Sequence, residues 1–294
     1  MWTSDRAAPL RLTAIRHQAF GINQLHPELA EAGELFSERC APYQVTVDPD
    51  RPLPGNRNSF SQMSADMIEL LRDQGDPGLI VIAHATPDSD PSISIAGYLQ
   101  HRLGGDPLVF AISDQGRVAP FTALRIAQDW ARNGACRATA VIAADQATLA
   151  YADPALGHLD TAADHAVGLL LTTDGTVPLL AVRQLPATAP SQVGAVVADA
   201  VAEFGSVVPL IVVTGQAVGP GVVPAWTNAQ ARRVPGDQHC TALWSVVADE
   251  LTGVGQHREG RPNLRPRGRV LAVDYEPALR LLSLAVFDPP PVVR

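Results

Sequence analysis

The residues best equipped for chemistry fall in a few places. The stretch "PGDQHCTALW" sets Asp237, His239 and Cys240 within four positions, and a thiol beside an imidazole supplies a nucleophile and its base. Asp114 sits in the turn of "AISDQGRVAP", and His84 ends the apolar run "LIVIAH", where an imidazole can act as acid or base. Asp164 and His165 are adjacent in "ADHAVGLLL". Each has a plainer reading. Adjacent side chains rarely point the same way, so Cys240 also reads as a small, semi-buried residue opening a helix. Turn aspartates such as Asp114 commonly cap backbone N–H groups, and His84, Asp164 and His165 suit structural roles. Arg117, Arg232 and Arg233 would meet phosphates or an acidic protein surface, or stand in solvent. Cys40, Cys136 and Cys240 are scattered with no CxxC pair, so no metal site, bound cofactor or disulfide framework is expected.

The elements that position these residues follow from hydrophobic pattern. Leu12–Ala19, Leu79–Ala85, Leu108–Ile112, Ala138–Ala143 and Val207–Val213 are nearly continuous apolar runs, as strands covered on both faces are. "LVFAISDQGRVAPFTALRIAQDW", from Leu108 to Trp130, is a strand, a tight turn and an Ala-rich helix, the elbow on which many enzymes mount a nucleophile. Met63, Met67, Leu70 and Leu71 make one helical stripe, and Val193, Val196, Val197, Ala200, Val201 and Phe204 another. Two hairpins are predicted: "AVGLLLTTDGTVPLLAVRQL", with Asp174-Gly175 as its turn, and "RVLAVDYEPALRLLSLAVF".

The chain also echoes itself. "SQMSADMIELLRDQGDPGLIVIAHAT" parallels "SQVGAVVADAVAEFGSVVPLIVVTGQ", and "TALRIAQDWARNG" followed by "ATAVIAAD" parallels "TALWSVVADELTGVG" followed by "RVLAVDYE", in the same order. A duplicated α/β unit is expected, with halves 1–187 and 188–294. The segments between Phe20 and Phe60 and between Val218 and Gln238 read as excursions from the core. The chain has 294 residues, 46% of them hydrophobic, enough for a large core. Its net charge of −8 argues against a nucleic-acid partner. No apolar run is long enough to cross a bilayer and no signal-peptide pattern opens the chain, so a soluble, cytoplasmic protein is expected.

Several stretches carry a family resemblance. "GLIVIAHATPDSDPSISIAGYLQHRLGG" holds a strand, a Thr86-Pro87-Asp88 turn and a helix, and the elbow follows it. "ADHAVGLLL" is similar to a Gly-Asp-Gly-Ala motif, keeping Asp164 and Ala166 with Ala163 and His165 in place of the glycines. "VTGQAV" is similar to a His-Gln-Ala-Asn motif, and "PGDQHCTALW", with Gly236, to a Gly-Asn-Thr-Ser loop. In this order they resemble the β-ketoacyl-acyl-carrier-protein synthase III-like condensing enzymes of the thiolase superfamily. The resemblance implies the thiolase-like duplicated αβαβα layered fold, two pseudo-symmetric halves in one compact unit.

Carried over position by position, the family's catalytic triad is missing. Its cysteine falls at Gln115 or Gly116, its histidine at Gly215 and its asparagine at Asp237. A thioester needs an activated thiolate and two donors over its carbonyl, and these residues supply neither. The resemblance therefore implies a non-catalytic partner subunit in specialised-metabolite (polyketide or fatty-acyl) biosynthesis, as with chain-length factors. It would form a homodimer, or a heterodimer with a triad-bearing ketosynthase paralogue, through the strand "LVFAI". Acyl-CoA or an acyl carrier protein thioester would be the substrate. The alternative is a repurposed acyltransferase or thioester hydrolase using Asp114, His84, or the Asp237–His239–Cys240 cluster. The Gly/Pro-rich 218–238 segment stands where the family has a tunnel-lining helix, so it is expected to be remodelled.

Overall fold

The structure, a computed structural model, describes residues 10–23, 37–38, 40–43, 47, 58–90, 92–147, 163–205, 208–223, 227, 229–234, 238–252 and 268–288. Among them the strands are β1 (Arg11–Phe20), β2 (Leu79–His84), β3 (Leu108–Ile112), β4 (Ala138–Asp145), β5 (Asp164–Thr172), β6 (Val177–Leu185), β7 (Leu210–Thr214), β8 (Gln230–Arg233), β9 (Arg269–Glu276) and β10 (Leu281–Phe287). The helices are α1 (Phe60–Leu71), α2 (Ile95–Leu103), α3 (Ala119–Arg132), α4 (Pro190–Phe204) and α5 (Ala242–Thr252). The strand order is β3-β2-β4-β5-β1-β6-β10-β9-β7-β8. Read outward from its centre, β1-β5-β4-β2-β3 is mirrored by β6-β10-β9-β7-β8, and the two series meet where Arg11 and Leu12 pair with Pro178 and Val177.

Packing makes five layers of this order. α3 and α5 lie in the middle, their Phe121, Leu124, Trp244 and Val247 packed with Val81, Val141, Val213 and Val270 from both strand series. α1 and α2 cover the outer face of the first series through Met63, Met67 and Leu99. α4 covers the second through Val193, Val197 and Val201. The central strands are therefore buried on both faces, and every residue of β2 and β7 is buried. That is why their sequences show unbroken apolar runs rather than alternation. Helix starts are set locally: Ser59 accepts from the Gln62 amide and Ser94 from the Gly97 amide, while α3 has proline in its first turn and no side-chain cap.

Two expectations need correction. The stretch around Asp174-Gly175 is not a hairpin, because β5 and β6 lie on opposite sides of β1. The turn straddles the start of β1, with the Thr176 amide bonded to the Leu12 carbonyl and Gly175 packed on the Arg11 backbone. Leu70, assigned to the buried stripe of α1, is 46% exposed. The β9–β10 hairpin forms as expected.

Candidate functional site

The elbow is present. β3 ends at Ile112, Asp114 and Gly116 take left-handed backbone angles (φ 60° and 53°), and α3 begins at Ala119. The two candidate nucleophile positions part company here. Gln115 turns outward, where its side-chain oxygen accepts from the Thr122 hydroxyl. It lines a groove of about 400 Å3 with Arg125, Gln184 and Leu281. Gly116 lies inward, its carbonyl 3.4 Å from the Cys240 thiol. Asp114 is exposed, and its carboxylate accepts from the Ser113 hydroxyl at 3.2 Å.

Around Gly116 the fold gathers Cys240, from just before α5, with Asp145 behind it, and Glu276 of β9. Asp145, at the end of β4, accepts from the Cys240 amide on both oxygens (2.9 Å each) and from the Thr241 amide and hydroxyl (2.7 Å each). It thereby caps the start of α5 from across the molecule. Cys240 is fully buried, and burial, with Asp145 and Asp274 nearby, pushes its thiol well above the ordinary range. Burial beside acids opposes formation of a thiolate, the form in which cysteine attacks. His239 is half-buried, and Asp237 lies outside the described residues.

His84 is buried and stacked on Phe60 at 4.7 Å. Its Nδ1 lies 2.7 Å from the Thr86 carbonyl oxygen, which only accepts, so Nδ1 carries the proton and Nε2 is the unprotonated nitrogen of the neutral ring. Burial lowers its pKa against the opposing pull of Thr86, Asp114 and Asp145. Asp164 accepts from the Asn58 amide and side chain and from the Ala147 amide, tying chain segments together; His165 beside it is half-buried. Arg232 pairs with Glu250 at 2.9 Å, and Arg233 donates to the Gln216 carbonyl on the exposed strand β8.

Asp274 and Glu276, two acids the sequence pattern did not single out, complete the centre. They lie two apart on β9 and so share a face. A Cβ built on Gly215 would run into the Asp274 carboxylate, its Oδ2 only 2.6 Å away. One built on Gly116 would run into that of Glu276, with Cδ at 2.8 Å. The Arg117 amide donates to Glu276 at 3.3 Å and its Nε lies 3.7 Å from the same carboxylate. The trace these acids leave in the sequence is that of charges inside an apolar strand, "RVLAVDYE".

Burial pushes the Asp274 carboxyl up to about 7, against the lowering effects of Arg117 and the Tyr275 amide; Glu276 adds to the rise. A raised carboxyl keeps its proton in the folded chain while the unfolded chain has already lost it. Stability therefore falls as pH rises from about 4 to 7. Asp88, pushed up to about 6 by burial, acts in the same direction. Asp274→Asn is expected to flatten the decline, read as Tm at a series of pH values; parallel profiles for the two proteins would refute the assignment.

No family profile and no curated protein matches this sequence. Solved structures do match over nearly the whole chain. The tetronic acid condensing enzyme AbyA1 aligns with a TM-score of 0.62 at 13% identity, covering 95% of this chain and 99% of its own. The 3-oxoacyl-(acyl carrier protein) synthase III FabH of Pseudomonas aeruginosa PAO1 gives 0.59 at 13%, covering 97% and 100%. The acyltransferase ChlB3 gives 0.56 at 17%, covering 96% and 98%. The chain thus has the thiolase-like fold of the ketosynthase III-type condensing enzymes. Among the described residues no helix is long and apolar enough to cross a membrane, and no group of three or more His, Cys, Asp or Glu is arranged to hold a metal.

Proposed function

We propose that this chain is the non-catalytic partner subunit of a heteromeric acyl-thioester condensing or acyltransferase enzyme in a cytoplasmic, specialised-metabolite pathway. The observation that carries the reading is the contrast between the two ends of the strand order. β3, at one end, is Leu-Val-Phe-Ala-Ile, with Leu108 44% exposed. β8, at the other, is Gln-Ala-Arg-Arg and exposed throughout. Charged edges resist pairing and apolar ones invite it. Phe110 of β3 and Ile126 and Trp130 of α3 are further apolar residues that are only partly buried. Such a surface suits a second ketosynthase-like subunit, and the Cys-His-Asn triad and the acyl or carrier-protein thioester would then reside on that partner.

The test is the mass of the purified chain in solution, alone and with a triad-bearing paralogue. A one-to-one complex with the paralogue is expected; two species that elute separately at micromolar concentration would overturn the reading.

One observation favours the alternative, a repurposed acyltransferase or thioester hydrolase. The Asp114 carboxylate lies near enough to His84 to favour its protonated form, against the burial that favours the neutral ring. In that case the chain alone would turn over acyl thioesters, and His84→Ala and Asp114→Ala would each abolish the activity.

A further inference from the structure

We infer that Asp274 and Glu276 form an acidic plug that occupies the side-chain space of Gly215 and Gly116. The centre of the elbow is then closed to an acyl thioester by packed carboxylates rather than left vacant. The functional side of this inference rests on reading Gly116 and Gly215 as the family's cysteine and histidine positions; the packing exchange does not depend on that reading.

The geometry is reciprocal. At each of two separate turns, one after β3 and one after β7, the chain carries the residue with no side chain. At each, a carboxylate from the same strand fills the volume a Cβ would enter. Gly215 does not adopt the left-handed angles of Gly116, so nothing in its backbone conformation demands glycine. The neighbouring carboxylate does. Asp274 is short and 2% exposed, so it has nowhere to swing. Glu276 is longer and its side chain 14% exposed, so the plug is looser at Gly116.

The plug also acts through charge. Asp145, Asp274 and Glu276 push the Cys240 thiol upward while Arg117 alone pulls it down, and a thiol at position 116 would face the same groups. Restoring a cysteine to the elbow would therefore not by itself restore a thiolate, because three acids outnumber the one cation beside it.

A double-mutant cycle on the tighter pair tests the packing. Gly215→Ala alone is expected to lower Tm by roughly 4–10 °C, the effect of overpacking a closed core. In an Asp274→Ala background the same change is expected to move Tm by less than about 2 °C. If Gly215→Ala alone yields no folded protein, a double variant that folds with the Tm of Asp274→Ala is the same rescue. An equal loss in both backgrounds, or a double variant that also fails to fold, would overturn the inference. The charge arm uses iodoacetamide and peptide mapping of position 116. Gly116→Cys is expected to alkylate slowly at pH 7.5, and at least about tenfold faster when combined with Glu276→Gly. Equal rates would overturn it. Neither readout requires a partner subunit, so failure of the plug and failure of the partner-subunit reading are separable.

Discussion

An Ala111→Pro variant is expected to fold like the parent and to lose its partner. The Leu108 amide donates to the Gly78 carbonyl, and β3 runs parallel to β2 in unbroken register. Amides alternate direction along a strand, so Leu108 and Phe110 face β2 while Val109 and Ala111 face outward, where the strand order ends. Ala111 is exposed. Proline there removes an outward donor and places its ring in the path of an incoming strand, yet breaks no bond to β2. Loss of the ladder bond leaves a buried acceptor unpaired, at about 1–3 kcal/mol, roughly five- to a hundredfold in association. Dimer or heterodimer should therefore give way to monomer in a size measurement, with Tm nearly unchanged in the isolated subunit. Undiminished association would place the interface elsewhere.

Asp145→Ala is expected to cause the largest loss of stability. Its carboxylate takes the Cys240 and Thr241 amides and the Thr241 hydroxyl, and Cys240 and Thr241 are both fully buried. These amides precede the first turn of α5, where free N–H groups and the helix dipole both favour a negative charge. Deleting the carboxylate leaves buried donors without partners, at about 1–3 kcal/mol each. Because Asp145 is itself half-buried, water relieves part of this. A total of about 3–5 kcal/mol, or roughly 8–15 °C in Tm, is expected. The substitution also removes the hydrogen bonds that tie the start of α5 to the end of β4. Asp145→Asn should recover part of the loss, since an amide oxygen still accepts; a Tm within a few degrees of wild type for Asp145→Ala would show that the cap is dispensable.

The sequence carried the parts of this molecule that burial writes strongly. β2, β4 and β7 are apolar on both faces and were legible as such, as were the elbow and the β9–β10 hairpin. β8 was not legible, because Gln230–Arg233 is an exposed edge that pairs only through its backbone. The Asp174-Gly175 turn misled, because local turn chemistry does not reveal that β1 enters between the two strands it joins. At the centre of the site, Gly116 and Gly215 were singled out only through the family resemblance. What fills their space comes from β9, about 160 and 60 residues away in sequence, and such contacts leave no periodic signal. Asp145 was missed for the same reason: its partners are amides, which no side-chain motif encodes.

The most direct test of the partner-subunit reading is turnover of acyl-CoA thioesters by the purified chain, first alone and then mixed with a triad-bearing paralogue. No turnover above background is expected from the chain alone, and the mixture should release coenzyme A faster than the paralogue does by itself. Release of coenzyme A by this chain alone, abolished by His84→Ala or Asp114→Ala, would contradict the reading and make it an enzyme in its own right.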